Sequence, residues 1–236
     1  IHPPTKAHKF CWYSGEPAEY DAKTRGAAFK AAEGFGMFVD MAFDNGAHLC
    51  ISDGINVRLT EYAKAPASYQ LLAEFDDGAA LVFTVSMYGS IFLYRGDFDN
   101  VYYQKSRAAI SPFSDPFGPY YRRLIAQCKP TLSVKAFLAT EQRFPGIGNG
   151  VLQDILFEAG LHPKRKIGTL GTAERERLLD RIPAVLRAMT ELGGRDTEKD
   201  LYGNPGGYRT QMSRNALASG CPRCGGKIVR EAYLGG

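Results

Sequence analysis

Residues 145–150, Pro-Gly-Ile-Gly-Asn-Gly, are too glycine-rich for helix or strand. Directly behind them Val151, Leu152, Ile155, Leu156 and Ala159 recur at helical spacing, and Gly160 is a natural stop. In front, Leu132, Val134, Phe137 and Leu138 mark another helix. A glycine turn that opens a helix aims free backbone N–H groups and the positive end of the helix dipole outward, and that favours phosphate. Gly146 and Gly148 let a bulky phosphodiester come close. Asn149, the expected N-cap, adds a side-chain donor. The competing reading is an ordinary tight turn between two core helices. A second group is Cys221-Pro222-Arg223-Cys224-Gly225, two thiols on a turn whose glycine lets both sulfurs face one ion. A structural zinc site takes four ligands, and Cys221 and Cys224 supply two. A redox pair is the alternative, but the strand-to-helix setting it needs is missing. His162, beside Pro163, reads as a helix cap rather than a ligand. The carboxylates Glu33, Asp40 and Asp53 form no catalytic pair.

These groups sit in a chain of 236 residues, 44% hydrophobic, which is globular in composition. No apolar run approaches a membrane span and no secretory leader is evident, so a cytoplasmic monomer is expected. Net charge is +4, but it is unevenly spread. Residues 1–100 hold 8 Lys/Arg and 13 Asp/Glu; residues 101–236 hold 21 and 12. The basic half contains the glycine turn, which permits a nucleic-acid partner. Cys11, Cys50 and Cys128 are scattered in apolar surroundings and read as buried reduced thiols.

Seven short alternating runs predict strands at 9–13, 36–43, 48–52, 56–60, 69–75, 79–85 and 90–94. Asp44-Asn45-Gly46 and Asp76-Asp77-Gly78 predict hairpin turns. The pattern then breaks at a proline-rich stretch and becomes helical: 120–127, 132–140, 150–159 and 172–191, the last with Thr172 as N-cap, Pro183 inside and Gly193-Gly194 as the stop. The fold class expected is α+β, an N-terminal antiparallel β-sandwich followed by a helical domain. Boundaries are expected at 1–105 for the sandwich, 106–119 for a linker, 120–217 for the helices and 218–236 for a partial zinc-finger segment. Residues 195–213 are a long polar, glycine-rich loop, either functional or mobile.

Taken together these parts resemble the formamidopyrimidine-DNA glycosylase and endonuclease VIII family. The strongest similarity lies in residues 131–163: Leu132, Lys135, Gly146-Ile147-Gly148-Asn149 and Ala159-Gly160-Leu161-His162-Pro163 fall in the family's order and spacing. Asn204-Pro205-Gly206-Gly207-Tyr208 is similar to the family's PGY segment, and the CxxCG follows at the expected distance. The resemblance implies a helix–two-turn–helix domain, a zinc finger with structural zinc, and a DNA repair function on damaged or abasic double-stranded DNA. It implies flipping of the base, cleavage of its glycosidic bond, and nicking of the backbone through a Schiff base on an N-terminal proline. It assigns phosphate contacts to Asn149 with the Gly146–Gly148 backbone and to Lys135, and contacts to backbone or flipped base to Tyr208 and Arg209.

The sequence departs from the family where the chemistry lies. It opens Ile1-His2-Pro3-Pro4, without the family's Pro-Glu, and Phe35 stands at the expected place of the catalytic lysine. The intercalating arginine is missing near Ser86-Met87-Tyr88-Gly89, where Met87 or Tyr88 remains as a wedge. The void-filling methionine maps to Ile51, and no zinc-finger arginine is present. Both ends read as cut from a longer product. A non-catalytic DNA-binding relative is therefore the second expectation, and an RNA-binding user of the same helical unit the third.

Overall fold

The computed structural model describes residues 1–235. Its chain divides into two compact units, Ile1–Arg107 with Asp200–Asn204, and Ala108–Lys199 with the chain from Pro205 onward.

The first unit carries β1 (Cys11–Tyr13), α1 (Tyr20–Thr24), β2 (Phe29–Phe35), β3 (Phe38–Phe43), β4 (Ala47–Ser52), β5 (Ile55–Glu61), β6 (Leu71–Glu74), β7 (Ala79–Val85), β8 (Gly89–Arg95) and α2 (Val101–Arg107). They form two sheets, ordered β1-β8-β4-β3-β2 and β5-β7-β6. The predicted hairpin turns close β3 to β4 and β6 to β7, with Gly46 and Gly78 at φ 78° and 83°. Alternation puts Leu49, Ile51, Ile91 and Leu93 of one sheet and Leu71 and Phe83 of the other into one apolar core. One pairing corrects the antiparallel expectation: β1 runs parallel to β8, from Cys11 opposite Gly89 to Tyr13 opposite Ile91. A parallel pair needs a long connection, and nearly the whole unit lies between these two strands. The strand β2 was not legible in sequence, because Phe-Lys-Ala-Ala-Glu-Gly-Phe does not alternate and lies almost wholly exposed at a sheet edge.

The helix α2 is pinned by a buried carboxylate. Asp40, on β3 and 6% exposed, accepts from Tyr94 Oη at 2.5 Å and from Tyr103 Oη at 2.7 Å, and His48 Nδ1 lies 3.0 Å away. Tyr94 stacks on Phe98 with centroids 4.5 Å apart. The cluster satisfies a carboxylate that would be costly to bury alone.

The second unit carries α3 (Phe117–Gln127), α4 (Val134–Ala139), α5 (Asn149–Ala159) and α6 (Thr172–Glu191) around one core. Phe117, Tyr121, Phe137 and Phe144 meet edge to face or tilted at its centre, with centroids 5.3–6.3 Å apart. The helix α3 starts at Phe117, inside the expected linker, because Pro119 falls in its first turn, where a missing N–H costs nothing. The expected N-cap Thr172 is displaced by Gly171, whose N–H donates to Glu174 Oε2 at 3.0 Å while Arg165 holds that carboxylate. Gly160 ends α5 at φ 65°, as its position predicted.

Residues 192–213 are an ordered loop. Tyr208 N donates to Gly194 O, Asp196 N to Tyr208 O and Gly207 N to Leu192 O, each within 2.8–2.9 Å. A Cβ at Gly206 would lie 2.2 Å from the Gly194 carbonyl, so the two limbs of this neck pack backbone on backbone. Asp196 Oδ1 accepts from Thr210 Oγ1 at 2.6 Å and Thr210 N at 3.3 Å. Burial pushes this carboxyl up, but the bonds from Thr210 and Asn215, with the charge of Arg195, bring it below the usual carboxylate range. Its stabilising bonds are therefore complete above the unfolded carboxyl pKa of about 3.9 and lost as pH falls through the lower folded value. Asp196→Asn is expected to destabilise the chain by about 1–2 kcal/mol at neutral pH. The gap in thermal midpoint between variant and wild type should close below about pH 3; a gap independent of pH would contradict this role for the charge.

Candidate nucleic-acid interface

The turn between α4 and α5 is built from both sides. Ser133 caps α4, accepting from Ala136 N at 3.1 Å. Phe144 and Ile147 anchor the connection in the core. The expected cap at Asn149 shifts by one: Gly148, extended at φ −89° and ψ 176°, is the N-cap, and Asn149 is the first helical residue. Val151 and Leu152 donate back to Gly148 O, while the N–H groups of Asn149 and Gly150 have no acceptor among the described residues. These two donors and the Asn149 amide all belong to the first turn of α5. Asn149 Nδ2 donates to Gly235 O at 3.2 Å, and its Oδ1 is buried without a partner among the described residues.

Lys135 is not a solvated surface lysine. It is 1% exposed, its ammonium donates to Tyr233 O, and the Tyr233 ring lies 5.7 Å away. Burial lowers its pKa, which the neighbouring Tyr233 partly offsets. Lys164 packs on the same ring at 5.3 Å and pairs with Glu231, and Tyr233 Oη lies 3.0 Å from Ser133 Oγ. The segment 231–235 thus lies across the starts of α4 and α5, with carbonyl oxygens against Lys135 and Asn149.

The loop places its two expected residues differently. Tyr208 is 8% exposed and belongs to the helical core, where burial raises its hydroxyl pKa. Arg209 is exposed and has no hydrogen bond or ion pair among the described residues. Sequence reading missed the residue that organises this loop. Asp154 on α5 is fully buried and accepts from Gln211 N at 2.9 Å and Met212 N at 2.8 Å. Burial raises its pKa, against the pull of those two N–H groups. The signal was available: a carboxylate inside the apolar stripe Leu152, Ile155, Leu156 must have partners.

Cys221 and Cys224 sit on a tight knuckle in which Cys221 N donates to Gly226 O and Gly225 N to Cys221 O, both at 2.8 Å. The backbone N–H groups of Arg223 and Cys224 point at the Cys221 sulfur and lower its pKa toward the thiolate that binds metal. Arg223 lies 4.4 Å over the Phe157 ring and pairs with Glu158 at 2.9 Å, which ties the knuckle to α5. The two sulfurs suit half of a tetrahedral zinc site. No group of three or more His, Cys, Asp or Glu side chains gathers among the described residues.

In the first unit, Phe35 ends β2 and packs on Phe38 and Tyr103, with the Arg107 guanidinium 4.4 Å from its ring centroid. Arg107 Nη1 donates to Glu33 Oε2 at 2.6 Å. Met87 and Tyr88, at the tip between β7 and β8, are 72% and 48% exposed, while Ile51 is buried in the core. No helix is long and apolar enough to cross a membrane among the described residues.

No protein-family model matches the chain. Curated relatives do. Formamidopyrimidine-DNA glycosylase of Prochlorococcus marinus (strain NATL2A) is 33% identical over 135 residues, 55% of this chain and 46% of the relative. A second strain's protein matches at 32% over the same 46% share, so the chain spans about half the length of these two relatives. The glycosylase of Thermus thermophilus is 28% identical over 93% of this chain and 84% of its own length. Among solved structures, Lactococcus lactis Fpg in complex with DNA containing an abasic site superposes with a TM-score of 0.76 at 20% identity, covering 93% of this chain and 82% of that one. MutM (Fpg) of Thermus thermophilus superposes at 0.74 and 24% identity, covering 94% and 83%. The two sheets and the helices thus form the Fpg fold. Along nearly its whole length the chain is thus similar in sequence to formamidopyrimidine-DNA glycosylases, and it shares the fold of the solved Fpg structures.

Proposed function

We propose that this protein binds damaged or abasic double-stranded DNA and acts in its repair, excising the base and nicking the backbone through a Schiff base. In this reading the two sheets are the β-sandwich domain, α4 to α5 the helix–two-turn–helix unit, and the segment from residue 218 part of a zinc finger. The observation that carries it is the start of α5, where glycines 146 and 148 lead into two backbone N–H groups without a partner among the described residues and the Asn149 amide. That arrangement suits a phosphate. The carbonyl of Gly235 on Asn149 and that of Tyr233 on Lys135 support an oxygen acceptor at this surface. Arg209 projects from the loop toward solvent, and Tyr208 fixes that loop from the core. Met87 and Tyr88 are exposed apolar side chains of the kind that wedge into a base stack. Cys221 and Cys224 are two of the ligands of a structural zinc. The relative solved with abasic-site DNA supports the choice of partner.

A second reading, binding without turnover, rests on Phe35: its ring lies under Arg107 where the resemblance implies a lysine. Borohydride trapping on a duplex with one abasic site, run beside a binding titration, separates the two. A covalent adduct supports the lyase; salt-dependent binding without an adduct supports the second reading; neither adduct nor binding overturns both. Within the binding reading, Asn149→Ala should weaken the duplex complex at least about tenfold on every sequence. Arg209→Ala should lower the slope of log K against log salt by about 1; an effect confined to one sequence would contradict a phosphate contact. Zinc should protect Cys221 and Cys224, but not Cys128, from alkylation, and equal rates with and without zinc would remove the metal.

A further inference from the structure

One cation at the start of α5 is a residue that the sequence did not single out. Arg195 follows the Gly193-Gly194 stop of α6, and its guanidinium lies against the Gly150 backbone. A Cβ at position 150 would be 2.1 Å from Nη1 and 2.8 Å from both Cζ and Nη2. Only glycine permits that approach. The guanidinium therefore shares the first turn of α5 with the unpartnered N–H groups of Asn149 and Gly150. A guanidinium beside two unpartnered N–H groups makes a setting that favours an anion.

At present Glu198 supplies that anion. Arg195 Nε donates to Oε2 at 3.2 Å and Nη2 donates to Oε1, the two-pronged geometry that guanidinium makes with carboxylate and with phosphate alike. The two partners are held differently. The Arg195 side chain is 14% exposed, and its backbone is locked in the loop neck by the bonds of Gly194 and Asp196. Glu198 is 58% exposed and makes no other hydrogen bond with its side chain among the described residues. Asp154 and Asp196 lie near enough to feel the Arg195 charge, so Glu198 is not its sole counter-charge.

We propose that Arg195 is a phosphate-binding residue of this surface, held by Glu198 until a backbone phosphate of DNA displaces the carboxylate. The inference rests on the DNA-binding reading above and adds to it a residue and an exchange of anions. Glycine at 150 is then required by the approach of Arg195 as much as by the approach of DNA.

The test is a set of anisotropy titrations on a duplex carrying one tetrahydrofuran abasic analogue, at several salt concentrations, each variant also checked for its thermal midpoint. Arg195→Gln should weaken binding and lower the salt slope by about 1. Gly150→Ala should weaken binding too, although the charge remains, because the guanidinium is pushed off its seat. Arg195→Lys should keep the slope and lose part of the affinity, having charge without the fork. Glu198→Gln should tighten binding by about 1.5- to 5-fold, the worth of an exposed ion pair, and should do nothing when Arg195 is already Gln. Arg195→Gln with an unchanged slope and a lowered midpoint, and Glu198→Gln with unchanged affinity, would make the pair structural and overturn the proposal. Asn149→Ala separates the two readings. If it weakens binding while Arg195→Gln does not, this inference alone fails; if the wild-type chain binds no duplex, the DNA reading fails and this one with it.

Discussion

The helical unit depends on one buried carboxylate. Asp154 stands in the middle of α5 and is fully enclosed. A carboxyl group there is tolerable because Gln211 and Met212 bring two backbone N–H groups to it. The dependence runs both ways. Those N–H groups belong to a non-repetitive stretch with no ladder to join, and Asp154 gives them their acceptor. A helix whose N-terminus faces outward thereby fixes, from its middle, the loop that flanks the same N-terminus. Electrostatics at the surface and burial beneath it are two ends of α5.

Much of the architecture was legible because it follows from local chemistry. Asp44-Asn45-Gly46 and Asp76-Asp77-Gly78 can do little but turn, and the apolar spacing of 150–159 admits only helix with Gly160 to end it. What was not legible depends on partners distant in sequence. The strand β2 has no pattern of its own and is a strand because β3 pairs with it from Phe29–Phe43 to Phe35–Phe38. The parallel edge of β1 is set by how the sheet closes, which no window of three residues records. Thr172 lost its cap position to Gly171 because Arg165 and Glu174 form a pair that a propensity rule does not see.

The candidate site divides in the same way. The glycine turn before α5 was readable, since such a turn followed by a helix is itself a statement about exposed N–H groups, although the cap fell on Gly148 rather than Asn149. Lys135 and Tyr208 were read as outward-reaching, on residue type and resemblance, and the fold buries both. Residue type gives a side chain's chemistry; whether that chemistry faces solvent is decided by the neighbours, here Tyr233 for Lys135 and the helical core for Tyr208. Arg195 was invisible for the opposite reason: an arginine in a polar loop is ordinary until Gly150 is seen beneath it.

The neck of that loop has a consequence for how such a surface can change over evolutionary time. Gly206 lies against Gly194 with no room for a single added carbon, and Gly207 against Leu192 O with very little. Substitution at these positions is closed to every other amino acid without moving the main chain. Glu198 and Lys199, by contrast, hang exposed from that rigid mount. New binding preferences in this lineage would accumulate on the rim while the mount stayed glycine, so variability and invariance should alternate within a few residues of one another along a stretch that composition alone would class as featureless.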